Sequence, residues 1–117
     1  MDNQERLLTK LRKALRVGGN THELEDILFG LETGKMQAFW NDGALVVTEI
    51  VQAPAKRYHS VFLAAGDMDS VMALDDKLKA FASEKGCEFG RALVRPGFEK
   101  ALQAKGWKRK MIVMEYE

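Results

Sequence analysis

The residues around Gly66 have the types needed at a ligand-binding loop, but their charge argues against a phosphorylated ligand. An apolar run that ends at Ala65 is followed by Gly66, Asp67 and Asp69 at the start of a helical pattern. A helix start offers free backbone N–H groups that suit a phosphate. Carboxylates at that position occupy these groups themselves and repel a phosphate. Ala65, Gly66 and Asp67 therefore mark the predicted place of a cofactor loop, filled with negative charge.

Glu49 is the strongest candidate for acid–base chemistry, because it interrupts the β-branched run Val46–Val51. A carboxylate on a central strand can act as a general base for an amine. Alternatively, strand alternation turns Glu49 to the solvent side of an antiparallel sheet. His59 can titrate near neutrality, yet a histidine beside a turn is ordinarily solvated, and His22 lies in a helix's first turn. Two distant histidines and a lone Cys87, expected to be a small buried hydrophobe, predict no metal site.

Basic side chains gather toward the C-terminal end of the chain. Residues 91–117 hold seven of them against three glutamates. Such a patch can meet an acidic partner, a phosphate or nucleic acid, and a solvated face explains the same pattern. The predicted contact residues of this patch are Arg95, Lys108, Arg109 and Lys110. Trp40 precedes an Asn-Asp-Gly turn, so it is predicted either as an exposed anchor for a partner or as a core aromatic at the sheet end.

Length and composition indicate a globular protein with one core. The chain has 117 residues, of which 46% are hydrophobic and 30% charged, and its net charge is +1. This length predicts a single domain over residues 1–117, and the charge gives no bulk attraction to nucleic acid or to an anionic membrane. No apolar run approaches the ~20 residues of a bilayer span, and one cysteine excludes an internal disulfide. The expected location is a reducing cytoplasm or a particle assembled there.

Hydrophobic periodicity predicts the element order α-α-β-β-β-α-β-α-β. Leucines from Leu7 to Leu15 define a first helix that Gly18-Gly19 ends, and residues 1–19 either pack on the sheet or form a docking element. A capping box of Asn20 and Glu23 opens the second helix. Three strands follow, joined first by an Asp-Gly hairpin turn, and their predicted ranges are Met36–Trp40, Ala44–Val51 and Tyr58–Ala65.

The C-terminal half adds two helices and two strands. In chain order the predicted ranges are helix Met68–Lys85, strand Cys87–Leu93, helix Pro96–Lys105 and strand Trp107–Tyr116. Two strands joined by a helix usually pair in parallel, whereas the first three strands form an antiparallel meander. The predicted fold class is therefore α/β (α+β), with a mixed, mainly antiparallel sheet of about five strands and flanking helices.

This order resembles the GNAT N-acetyltransferase fold, and the last third of the chain carries the most specific likeness. Gly86-Cys87, the run Arg95-Pro-Gly-Phe-Glu-Lys-Ala-Leu102 and Lys105-Gly106-Trp107 are similar to the end of small GNAT-like proteins encoded by tailed bacteriophages. Leu63-Ala-Ala-Gly-Asp67 resembles a further element of the same group. The likeness runs from about Thr21 to the end of the chain.

The resemblance implies a cofactor loop that this sequence does not reproduce. Active GNAT enzymes hold the pyrophosphate of coenzyme A in a loop of pattern Q/R-x-x-G-x-G/A, which corresponds here to Gly66–Val71. That range lacks the Gln or Arg and has one glycine. The family's usual acid, a tyrosine on the short helix, is also missing, since the nearby aromatics are Phe98 and Trp107 and Tyr116 lies on the predicted last strand.

Three functions are compatible with this sequence. The first is a non-catalytic phage or prophage protein, structural or virion-associated, that uses a GNAT-like scaffold to bind virion proteins or itself and needs no cofactor. The alternative is an N-acetyltransferase that uses acetyl-CoA through an atypical loop at Ala65–Asp67, with Glu49 as its base. The weakest is a nucleic-acid-associated phage protein that acts through the C-terminal basic cluster.

Overall fold

Along the chain, two helices precede the first strand, two more lie between the third and fourth strands, and one follows the fourth. The computed structural model describes residues 3–17 and 21–117. The N-terminal elements are α1 (Asn3–Val17), α2 (Leu24–Glu32), β1 (Met36–Trp40), β2 (Ala44–Gln52) and β3 (Arg57–Gly66). The C-terminal elements are α3 (Met68–Met72), α4 (Asp75–Glu84), β4 (Phe89–Ala92) and α5 (Pro96–Ala104). The predicted α+β class and the mixed, mainly antiparallel sheet are confirmed.

The described residues form one four-stranded sheet in the order β1-β2-β3-β4. The β1–β2 and β2–β3 pairs are antiparallel, and β3 pairs with β4 in parallel. A parallel pair needs a long crossover, which α3 and α4 provide. One bulge interrupts β3: Val47 pairs with Leu63 and Thr48 with Val61, so Phe62 is the extra residue.

Both faces of the central strand β2 are covered by helices. Val46 packs with Leu74 and Leu78 of the α3–α4 side, while Val47 packs with Leu11 of α1 and Ile27 of α2. Successive side chains of a strand point to opposite faces, so these neighbours serve two separate clusters. This double burial explains why β2 is an almost continuous β-branched run. The apolar face of α1 is thus buried against its own sheet.

The predicted long helix is wrong in one respect, because the structure divides it into α3 and α4. Ala73 ends α3, and Leu74, only 1% exposed, stands at the N-cap of α4. Asp75 and Asp76 then occupy the first turn of α4, where carboxylates favour a helix start. Inserting Leu74 into the core and starting a new helix at Asp75 accounts for the break.

The start of α2 also differs from the prediction. Glu23, predicted as the second member of a capping box, is itself the N-cap, and its backbone N–H donates to Asp26 Oδ2 at 2.9 Å. The other predicted capping residue, Asn20, and the predicted helix stop at Gly18-Gly19 lie outside the described residues.

The predicted terminal strand over residues 107–116 forms no ladder with the described sheet. Its first residues are instead held by side chains of the preceding helices. Trp107 Nε1 donates to Asp75 Oδ1 of α4 at 2.7 Å, and Arg109 Nε donates to Glu99 Oε2 of α5 at 2.7 Å. Strand-like alternation in a sequence does not by itself produce pairing, and here residues 107–116 pair with none of the described strands.

Candidate functional site

A cavity opens where β3 and β4 separate. The two strands pair only from Tyr58 to Val61 on β3 and from Phe89 to Ala92 on β4. Beyond that point β3 continues to Gly66, whereas the chain after Ala92 leads into α5. The gap holds a cavity of about 250 Å³. Its lining comes from both faces of the sheet and is mainly apolar: Ala14, Leu15, Thr21, Val46, Val61, Phe62, Leu63, Ala64, Val71, Met72, Asp75, Leu78, Ala92, Leu93, Val94, Arg95, Phe98, Leu102 and Trp107.

The acidic group at this cavity is already engaged by neighbouring donors. The Asp75 carboxylate, 4% exposed, accepts the Trp107 indole N–H at 2.7 Å and pairs with Lys79 Nζ at 2.7 Å. Arg95 stands at the N-cap of α5 and places its guanidinium 5.6 Å from the centre of the Phe98 ring. The arrangement offers an apolar slot with one basic side chain at its border, a setting for an apolar or acyl group rather than for ionic chemistry.

The predicted cofactor loop lies at the end of β3, and Asp67 caps the helix that follows. Its Oδ1 accepts the backbone N–H of Ser70 at 2.8 Å, and its Oδ2 accepts the Ser70 hydroxyl at 2.9 Å. These two bonds, with the backbone bond contributing most, lower the pKa of the Asp67 carboxyl and keep it ionised. One backbone N–H of this helix start, that of Ser70, is thus bonded by a carboxylate of the same chain.

The β1–β2 turn packs against this loop, a contact that sequence reasoning missed. Asn41 Nδ2 donates to the Ser70 carbonyl at 2.9 Å, and the Gly43 carbonyl accepts from Lys10 Nζ at 3.3 Å and from the Asp67 N–H at 3.4 Å. Gly66 has φ +127°, and a Cβ there would overlap the Gly43 carbonyl. The sequence signal for this contact is the glycine in each of the two segments, Gly43 and Gly66, because glycine permits close backbone approach.

Glu49, the predicted base, lies apart from the cavity. It pairs with Met36 on β1 and with Ser60 on β3. Because it is two residues beyond Val47 on β2, its side chain projects to the α1–α2 face, where it is half-buried. It is not among the cavity-lining residues. The structure therefore does not bring Glu49 together with Ala65, Gly66 and Asp67.

The expectation of a solvated His59 is wrong. Its side chain is 2% exposed and packs against Phe39 and Phe81, with ring centres 6.1 and 5.3 Å away. It pairs with Ile50 on the face that α4 covers, and this burial lowers the pKa of the imidazole. Its Nε2 has no hydrogen-bond partner among the described residues. His22 is half-exposed and makes a separate, edge-to-face contact with Phe62, with the ring centres 4.5 Å apart.

The predicted partner-binding residues come from different parts of the chain and have different surroundings. Trp40 is 61% exposed at the end of β1, so the core alternative for it is wrong. Arg95 borders the cavity, whereas Arg109 is bound by Glu99 on α5. This hydrogen-bonded pair lowers the pKa of the Glu99 carboxyl and raises the pKa of the Arg109 guanidinium. Lys108 and Lys110 are exposed on either side of Arg109.

The described part of the chain contains no group of three or more His, Cys, Asp or Glu side chains that could hold a metal ion. None of its helices has the length and apolar character to cross a membrane. Cys87, expected to be buried, is half-buried at the end of the α4–β4 connection. The two tyrosines, Tyr58 and Tyr116, are not among the residues that line the cavity.

Solved structures share this architecture over nearly the whole chain. The wild-type TTHA1254 protein of Thermus thermophilus has a TM-score of 0.67 at 16% identity, covering 100% of this chain and 92% of its own. Glucosamine-6-phosphate N-acetyltransferase from Arabidopsis thaliana has a TM-score of 0.68 at 8% identity, covering 100% and 94%. Aminoglycoside N-acetyltransferase AAC(6')-Iy, in a complex with CoA, has 0.67 at 14%, covering 99% and 90%.

These likenesses define the class of the fold. No protein-family model and no curated protein sequence matches the chain. The structural neighbours establish an α+β, GNAT-like acetyltransferase fold with a mixed four-stranded sheet and flanking helices. Fold alone does not carry chemistry, so the activity has to be argued from the loop and the cavity.

Proposed function

We propose that this chain is a non-catalytic protein that uses a GNAT-like scaffold to bind other proteins, as a structural or virion-associated component of a phage or prophage. The phage setting derives from the sequence resemblance. The main observation in favour of a non-catalytic role is the Asp67 cap. The ionised carboxylate of Asp67 accepts the Ser70 N–H at 2.8 Å, and that N–H is a donor that a bound pyrophosphate would need.

Two further features support this proposal. The β1–β2 turn lies against the same loop through Asn41 and Gly43, so a bulky phosphate would have to displace both the carboxylate and the turn. Glu49 and His59, the two acid–base candidates that lie on the central strands β2 and β3, do not line the cavity. Binding of acetyl-CoA would thus begin with repulsion, and the one carboxylate among the lining residues, Asp75, is already held by Trp107 and Lys79.

Titration with acetyl-CoA tests the proposal directly. Calorimetry at low ionic strength should give no heat of binding at millimolar acetyl-CoA, and the melting temperature should not rise, because only a ligand that binds the folded state stabilises it. Micromolar binding by the unmodified protein would overturn the proposal. A particle preparation analysed by mass spectrometry should contain the protein in a constant ratio to capsid or tail proteins.

A pair of variants isolates the role of the cap. Asp67→Ser removes the charge and keeps a good N-cap side chain, whereas Asp69→Ser removes a charge from the same helix turn without touching the cap. We expect any gain in acetyl-CoA affinity to be confined to Asp67→Ser. Equal gains in both variants would indicate general electrostatics rather than an occupied donor site.

The second candidate function is an N-acetyltransferase with an atypical loop. The cavity of about 250 Å³ favours it, since an apolar slot beside Ala64 and Arg95 could hold the acyl end of acetyl-CoA. Glu49 would be the base in this alternative, although the structure places it on β2 away from the slot. Acetylation of a panel of amines, measured by thiol release, tests it, and Glu49→Gln should abolish that release if Glu49 is the base.

A further inference from the structure

The C-terminal segment, residues 111–116, is a strand-patterned stretch with exposed apolar side chains. Met111, Ile112, Val113 and Met114 are 63–81% exposed and Tyr116 is 97% exposed. In an extended chain Met111 and Val113 point to one side and Ile112 and Met114 to the other. Apolar residues on both sides are typical of a strand covered on two faces, which is not the state of this segment in a single copy.

An open sheet edge lies on the same molecule. Within residues 3–17 and 21–117, β4 is paired only with β3, so its other edge is free of strand partners. Leu93 and Val94 prolong that edge, are 70% and 46% exposed, and border the cavity. An unpaired edge of this kind is a template for a strand of another chain.

The chain exposes more surface than a compact monomer of its mass. A folded monomer of 13.2 kDa exposes about 6,400 Å², whereas this chain exposes 8368 Å². The excess of roughly 2,000 Å² in each copy lies within the range that obligate homodimers bury. Since the exposed segment and the open edge belong to one chain, two copies can satisfy both by a closed, twofold exchange.

The residues just before the segment are held in place, whereas residues 111–116 are exposed. Trp107 is bonded to Asp75, and Arg109 to Glu99 through two hydrogen bonds. We infer that residues 111–116 of one copy add to the β4 edge of a second copy as its fifth strand, and the reverse, covering Leu93 and Val94. This dimer rests on the proposed function and deepens it by naming a partner: a second copy of this chain.

Light scattering coupled to gel filtration tests the exchange. The full chain should have a mass of about 26 kDa at micromolar concentration, twice the 13.2 kDa of one copy. Ile112→Glu with Met114→Glu should weaken association at least 100-fold. Phe29→Glu, a matched change at a 62% exposed apolar residue of α2, should leave it unchanged. A 13.2 kDa species at 100 µM, or a dimer that survives the double change, would overturn the inference.

Cysteine cross-linking identifies whose segment occupies the edge. In a Cys87→Ser background, protein carrying Leu93→Cys is mixed with protein carrying Ile112→Cys and oxidised. The exchange predicts a disulfide-linked dimer on a non-reducing gel, and replacing Leu93→Cys by Phe29→Cys should abolish it. If the Leu93→Cys/Ile112→Cys double variant instead gives only monomers without free thiols, each segment pairs with its own β4 and the inference fails.

The outcomes separate this inference from the proposed function. A dimer that binds acetyl-CoA would refute the proposed non-catalytic role and leave the exchange intact. A monomer that does not bind acetyl-CoA would refute the exchange and leave the absence of catalysis standing.

Discussion

Replacing Trp107 by phenylalanine should destabilise the protein through a buried carboxylate. Asp75 is 4% exposed, and its two oxygens are held by the Trp107 indole N–H and by Lys79 Nζ, each at 2.7 Å. Phenylalanine keeps an aromatic ring at this position but removes the donor. Asp75 Oδ1 then remains buried without the bond that compensates its desolvation.

The expected magnitude follows from the class of hydrogen bond. A bond to a charged group contributes about 1.5–3 kcal/mol, and removing one partner from a buried pair costs a similar amount. For a chain of 117 residues the unfolding entropy near the midpoint is roughly 0.25 kcal/mol per kelvin. The melting temperature of Trp107→Phe should therefore fall by about 6–12 °C.

Urea denaturation at one protein concentration, followed by circular dichroism, measures this loss. Trp40→Phe is the matched control, because Trp40 is 61% exposed, and its effect should stay within about 0.5 kcal/mol. Asp75→Asn completes a double-mutant cycle with Trp107→Phe. A loss below about 0.5 kcal/mol for Trp107→Phe, or no coupling with Asp75→Asn, would refute the role assigned to this bond.

Three further predictions concern the core and the loop. Burial lowers the pKa of His59 below the unfolded value of about 6.5, so the unfolded state binds more protons as the pH falls below 6.5. The unfolding free energy should then drop by up to about 1.4 kcal/mol per pH unit until the folded pKa is reached. Urea midpoints measured at pH 7.5 and 5.5 should show this drop for the natural chain and a smaller drop for His59→Phe. An equal drop in both proteins would contradict the prediction. Gly66→Ala combines a φ of +127° with overlap of the new Cβ and the backbone of Gly43. It should therefore lower the unfolding free energy by more than the roughly 1–2 kcal/mol expected of Gly34→Ala, where φ is +79° and no described atom is close. Equal losses of unfolding free energy in urea would argue against the close approach. Leu74→Ala, at a 1% exposed position, should lower the unfolding free energy by about 2–5 kcal/mol. Leu28→Ala, at a 48% exposed position, should lower it by less than about 1 kcal/mol. A larger loss for Leu28→Ala in thermal denaturation would contradict the assigned core.

Most element boundaries could be predicted because local signals mark them. The Asp-Gly turn locates the β1–β2 hairpin, and Pro96 begins α5 as predicted. The break between α3 and α4 was missed, although Asp75 and Asp76 are typical helix-start residues. The apolar spacing across residues 68–85 continues through the break, so periodicity alone could not reveal it.

The candidate site was predictable only in part. The carboxylate cap at Asp67 follows from its position at a helix start, and the structure forms that cap with Ser70. The cavity could not be foreseen, because it depends on where β3 and β4 stop pairing. The burial of His59 likewise depends on Phe39 and Phe81, residues 20 or more positions away along the chain.

By itself, the sequence determined the order of most elements and the charge of the loop at Asp67, since periodicity, turn chemistry and capping act over a few residues. Only the tertiary structure decided that the Gly43 turn lies against that loop, that Glu49 does not line the cavity, and that residues 107–116 form no ladder with the described sheet. These outcomes depend on contacts between distant segments, and an apolar, alternating stretch becomes part of a sheet only when it pairs with another strand.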